Sequence, residues 1–140
     1  MILYLDASAI VKLHIQETHT RELMKLVLEE SERGARVTTS CVSYAEVLAA
    51  FARNVADEAD LNRLNSDFLR TWPRYHVVFL DQNVLNVAGI LSRTYRLRGF
   101  DALHLASALA ARRRREKATF LVFDKLLSRA AEAEGFQTPF

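Results

Sequence analysis

Cys41 is the only cysteine in the chain, so neither a disulfide framework nor a thiolate metal site can be built, and a reduced, cytoplasmic setting is expected. Proline and glycine are also scarce, at two and four residues, against an apolar fraction of 50%. That balance excludes collagen-like, low-complexity and disordered classes. No apolar run approaches the roughly 20 residues that span a bilayer. The short apolar start has no basic leader and is interrupted by Asp6, so neither a signal peptide nor a membrane association is expected. Charge of one sign is lacking as well: the net value of +2 is too small to announce a polyanionic partner. At 140 residues the expectation is one domain, residues 1–140, around one sizeable core.

What is present is a regular alternation. Strand-like runs are ILYL near residue 2, ARVTT near 35, HVVFL from 76 and TFLVF from 119, with a further short one around Phe136. Between them lie helical patterns: AIVKLHI; RELMKLVLEESER, stopped at Gly34; SYAEVLAAFARN; DEADLNRLNSDFLRTW, stopped by Pro73; QNVLNVAGILSRTYRLR, stopped at Gly99; DALHLASALAARRRR; and KLLSRAAEAE, stopped at Gly135. Strands separated by helices imply crossovers and a largely parallel sheet, and unalternating apolar strands imply cover on both faces. Sites in such sheets form beyond the carboxyl ends of the strands.

Carboxylates at those ends are therefore the candidates. Asp6 and Asp124 end the first and fourth strands, Asp81 the third, and Glu46 and Asp101 fall in the expected first turns of two helices. Each has a structural alternative. Ser43 and Glu46 form the S-x-x-E of a capping box, and the aspartates suit helix N-termini. If the first and fourth strands adjoin, Asp6 and Asp124 converge, and anions that close need protons or a cation. Mg2+ or Mn2+ suits carboxylate oxygens, with the Ser8 hydroxyl a further donor. Spacing alone does not choose among the five acids.

Four segments, YLDASAIVKL, VSYAEVLAAFAR, LRGFDALHLASAL and TFLVFDKLLSRAAEAEGF, resemble the PIN-domain family, in particular its small VapC-type toxins. The resemblance runs from Ile2 to about Phe136. It implies a three-layer α/β/α sandwich on a central parallel sheet of four to five strands, the first and fourth adjoining. It implies a Mg2+- or Mn2+-dependent endoribonuclease whose catalytic and metal-binding residues match Asp6, Glu46, Asp101 and Asp124, while Asp81 falls on an edge strand and becomes a cap. It further implies RNA as substrate, a cognate antitoxin as partner, and a homodimer. One departure stands out: Val122 occupies the position, two before Asp124, where many relatives have Thr or Ser.

Secondary candidates surround this set. Ser8 is one. His104 shares the helix face of Asp101 and has either a phosphate or a buried partner to meet. Arg98, with Arg93, Arg96 and the arginines at 112–115, flanks GFDALHLASALA and is a candidate for holding RNA. The helices from Ser43 to Trp72 carry Val47, Leu48, Phe51, Leu61, Leu64, Phe68 and Leu69, read mostly as core, and the family resemblance implies a groove for the antitoxin in this region. Two rivals are weighed. A phosphoaspartyl enzyme needs DxDx(T/V) where this chain has DASA. A non-catalytic α/β interaction module would use every carboxylate as a cap. No HExxH spacing supports zinc.

Overall fold

A computed structural model describes residues 1–140. Four parallel strands, β1 (Ile2–Leu5), β2 (Arg36–Ser40), β3 (His76–Val78) and β4 (Ala118–Leu121), lie in the order β3-β2-β1-β4. Seven helices connect them: α1 (Ala7–His14), α2 (Thr20–Glu32), α3 (Val42–Asn54), α4 (Glu58–Thr71), α5 (Gln82–Tyr95), α6 (Gly99–Ala111) and α7 (Lys125–Ala133). The short run expected near Phe136 is a single parallel bridge, Thr119 to Gln137, on the outer side of β4.

The central strand β1 shows why the layers are three. Strand side chains alternate between faces. Ile2 and Tyr4 enter one apolar cluster with Leu91, Leu105, Phe120 and Leu127 from the side of α5, α6 and α7. Leu3 and Leu5 enter the other with Ile10, Leu23, Val47, Phe51 and Phe68 from α1 to α4. Both faces are covered, as the unalternating apolar strands require, and the α/β/α sandwich is borne out. Leu48, Leu61 and Leu64 are only partly buried and Leu69 is exposed, so the expected α3–α4 core is its inner stripe alone.

Helix ends follow the sequence at two of three glycines. Gly34 and Gly135 both have φ of 85°, the left-handed turn that glycine adopts freely. Gly99 is different. It opens α6, whereas α5 ends at Tyr95 with Arg96 taking the left-handed conformation, φ 58°. Burial of Leu97, and the Ser92 hydroxyl donating to its carbonyl at 3.1 Å, draw the chain inward there.

The arginine run is a second correction. α6 stops at Ala111 because Arg112 is extended, its guanidinium donating to the Glu134 carbonyl at 2.9 Å and lying over Phe136. Arg36, the first residue of β2, donates to the Ala111 carbonyl at 2.9 Å. Residues 112–115 thus sit at the edge where strands begin, opposite Asp6 and Asp124, and do not flank the acidic site.

Candidate active site

β1 and β4 pair from Ile2 with Ala118 to Leu5 with Leu121, and the Asp6 amide donates to the Leu121 carbonyl at 3.3 Å. Asp6 and Asp124 therefore leave the carboxyl ends of adjacent strands. Each caps the helix that follows: Asp6 Oδ1 accepts from the Ala9 amide at 2.9 Å and Asp124 Oδ1 from the Leu127 amide at 2.9 Å. Asp81 does the same with the Val84 amide, on edge strand β3, and goes no further. Ser8 Oγ also donates to Asp6 Oδ1, at 2.7 Å.

Glu46 does not cap. α3 starts at Val42, so Glu46 lies beyond its first turn. Ser43 turns inward, with its hydroxyl 2.7 Å from that of Thr39, which donates to the Leu5 carbonyl. The capping box is not formed. Instead Glu46 Oε1 receives His104 Nε2 at 2.8 Å. His104 is 2% exposed and its Nδ1 lies 2.9 Å from the Tyr4 hydroxyl. It is a satisfied buried histidine rather than a phosphate contact. Asp101, in the first turn of α6, has no hydrogen-bonded partner in the protein, and the cap-only reading has no explanation for it.

One oxygen of Asp6, Glu46 and Asp124 is pinned by the protein, the other is open, and both oxygens of Asp101 are open. No three acidic, histidine or cysteine side chains close on one point as a preformed cage, yet the acids feel one another. Burial pushes the Asp101 carboxyl up, Asp124 and then Glu46 push the same way, and His104 and Arg98 oppose them. Burial raises Asp6 as well, Glu46 adding to it against His104, Ser8 and Ala9. Open hard oxygens under mutual repulsion are the donor set that a Mg2+ or Mn2+ ion satisfies.

Val122 is 1% exposed and packs in the α5–α7 cluster. Asp124 is oriented by its own cap bond, without a hydroxyl at position 122.

Two clefts border the acids. One, of about 630 Å3, is lined mainly by α1 and α3, with Ser8, Val11, Ala45, Glu46, Arg53 and Phe100. The other, of about 500 Å3, joins Asp124 to Lys12, His19, Lys125 and Arg129. Arg53, Lys12, Lys125 and exposed Phe100 were not indicated by sequence reasoning. A helix-phase count from Asp6 to Lys12, or the adjacency of Phe100 to Asp101 and of Lys125 to Asp124, was the available signal. Arg93 and Arg96 line a separate surface hollow with Ile90 and Thr94, while Arg98 acts on Asp101.

A strand-ordered α/β/α fold with acids at the ends of its central strands matches a known class: the PIN domain sequence pattern covers residues 3–133, and the chain belongs to the PIN domain family. It is 39% identical over 113 residues to the protein named Ribonuclease VapC45 of Mycobacterium tuberculosis, spanning 78% of this chain and 76% of that one. It is 30% identical over 138 residues to Ribonuclease VapC47 of the same organism, spanning 98% and 95%. In fold it is similar to FitAcB from Neisseria gonorrhoeae, with a TM-score of 0.71 at 17% identity over 99% and 96% of the two chains. A toxin–antitoxin complex from Klebsiella pneumoniae gives 0.69 at 14% identity over 99% and 98%.

Proposed function

We propose that this chain is a metal-dependent endoribonuclease and the toxin of a toxin–antitoxin pair. The observation that carries the reading is the set of open carboxylate oxygens of Asp6, Glu46, Asp101 and Asp124, near enough that Asp124 and Glu46 add to burial in raising Asp101. Relatives named as VapC ribonucleases, covering most of the chain, support it.

Asp6 and Asp101 would hold a Mg2+ or Mn2+ ion directly, and Glu46 and Asp124 would hold it directly or through water. When bound, such an ion makes water a nucleophile near neutral pH and offsets charge on the phosphate. The chain's own groups do the rest. Ser8 and the Ala9 amide hold Asp6 in place from one side. An open oxygen of Glu46 or Asp124 orients the attacking water and takes its proton. Attack at phosphorus breaks the bond to the 3′ oxygen, which takes up a proton, leaving a 3′-hydroxyl and a 5′-phosphate. Arg98, Lys12 and Lys125 bring positive charge to an otherwise anionic rim, where a polyanion needs it.

The apolar cleft between α1 and α3 is the place for an antitoxin segment, the protein acts in the cytoplasm, and the chain pairs with a second copy. The test of activity is incubation of the partner-free protein with total cellular RNA and Mn2+ or Mg2+, mapping new 5′ ends, which are expected with the metal and not with a chelator. Co-purification with the product of an adjacent gene, and elution as a dimer, test the partners. A monomer indifferent to that product contradicts them.

A further inference from the structure

We propose that His104 is a positioning residue for Glu46, holding one carboxylate oxygen so that the other is presented to the reaction. The inference deepens the ribonuclease reading and rests on it for its effect on rate, but the bond itself does not. An ionised carboxylate only accepts hydrogen bonds, so His104 Nε2, 2.8 Å from Glu46 Oε1, carries the proton. In the neutral ring Nδ1 is then an acceptor, and the Tyr4 hydroxyl, 2.9 Å away, donates to it.

The ring cannot turn away. Tyr4 and His104 are 0% and 2% exposed. Tyr4 is stacked on Phe120 with centroids 4.8 Å apart and meets the imidazole edge-on. Tyr4 is on central strand β1, two residues from Asp6. His104 is on α6, three from Asp101, and Glu46 is on α3. The relay therefore ties the three elements that carry these acids, crossing the sheet from one helical layer to the other. Glu46, on a helix surface and 30% exposed, has no other protein partner. Without His104 its long side chain would sample several rotamers.

Four proteins decide it, through cleavage rates and an imidazole nitrogen spectrum. Gln at 104 places an amide donor near the Nε2 position, whereas Asn reaches no farther than Nδ1. His104→Asn is expected to lower kcat for RNA cleavage about ten-fold or more with KM little changed, as losses of ligand-orienting bonds do. His104→Gln should recover most of that rate although both variants melt lower than the wild type. If Gln and Asn are equally impaired, in proportion to their loss of stability, His104 is packing only and the proposal is overturned. Independently, the imidazole nitrogen spectrum of the metal-free wild type at about pH 8 should show the proton on Nε2, with its resonance displaced in Glu46→Gln. A proton on Nδ1, or no response to that substitution, overturns the bond itself. If the wild type cleaves no RNA, the ribonuclease reading fails while this spectrum still decides the positioning.

Discussion

Ser43 Oγ lies 2.7 Å from Thr39 Oγ1, both residues fully buried, and Thr39 in turn donates to the Leu5 carbonyl at 2.7 Å. This pair fastens the start of α3 to the end of the central strand, and so sets where Glu46 stands. Ser43→Ala leaves the Thr39 hydroxyl one partner short in a dry place. It should cost about 1–2 kcal/mol, read as a lower urea midpoint with an unchanged slope, and it should lower cleavage through Glu46 as well. An unchanged midpoint would mean the hydroxyl pair contributes nothing net.

Asp101 should show a conflict between stability and function. Its folded-state pKa is raised, by burial first and then by Asp124 and Glu46, so the metal-free folded protein binds its proton more tightly than the unfolded chain does. Stability of the metal-free protein therefore falls as pH rises through that raised value. Asp101→Asn removes this slope. At neutral pH it should raise metal-free stability by up to about 1 kcal/mol, the scale of a partly exposed charge interaction. Cleavage should drop on the order of 100-fold or more, beyond the loss expected for an outer-shell group. Thermal melts in chelator from acid to neutral pH measure the first effect. Destabilisation by Asp101→Asn at neutral pH would contradict it.

Glu116 behaves oppositely. Burial works against its charge but is outweighed by the Arg113 amide and the Arg36 guanidinium, which hold its carboxyl below the ordinary range. A lowered folded-state value means stability that is present above the unfolded carboxylate range and is lost as pH falls through the folded value. Glu116→Gln should cost about 2 kcal/mol at neutral pH, the scale of a hydrogen bond to a charged group. The difference should shrink in acid, as seen in paired melts. A constant difference across pH would mean the charge is irrelevant.

Val122→Thr introduces the hydroxyl that the family resemblance implies two positions before Asp124, but here the position is 1% exposed within an apolar cluster. The variant should lose about 1–2 kcal/mol, with cleavage by the folded protein unchanged because Asp124 is already held by the Leu127 amide. A clear gain in rate would show that the hydroxyl supports the site after all.

The parallel sheet and the strand-end aspartates were legible because they rest on periodicity, whereas the adjacency of the first and fourth strands was legible only through the resemblance of four segments to the PIN-domain family. The capping box at Ser43, the structural alternative for Glu46, does not form for a physical reason: a local S-x-x-E pattern competes with tertiary partners, and Thr39 and His104 took both members. Gly99 and the arginines at 112–115 failed similarly. Burial of Leu97 and the anchoring of Arg112 by Glu134 and Phe136 set those helix ends, and neither contact is local. The Tyr4–His104–Glu46 relay spans separations of 100 and 58 residues, which no spacing argument reaches.

Whether the open oxygens on Asp6, Glu46, Asp101 and Asp124 support metal-dependent RNA cleavage is read from the cleavage rate of one mapped RNA as a function of Mn2+, for wild type and Asp101→Asn. The account predicts saturable dependence on the ion, loss in chelator reversed by excess Mn2+, and a variant slower on the order of 100-fold or more at every concentration. Equal cleavage by both proteins, or cleavage that persists in chelator, would contradict it.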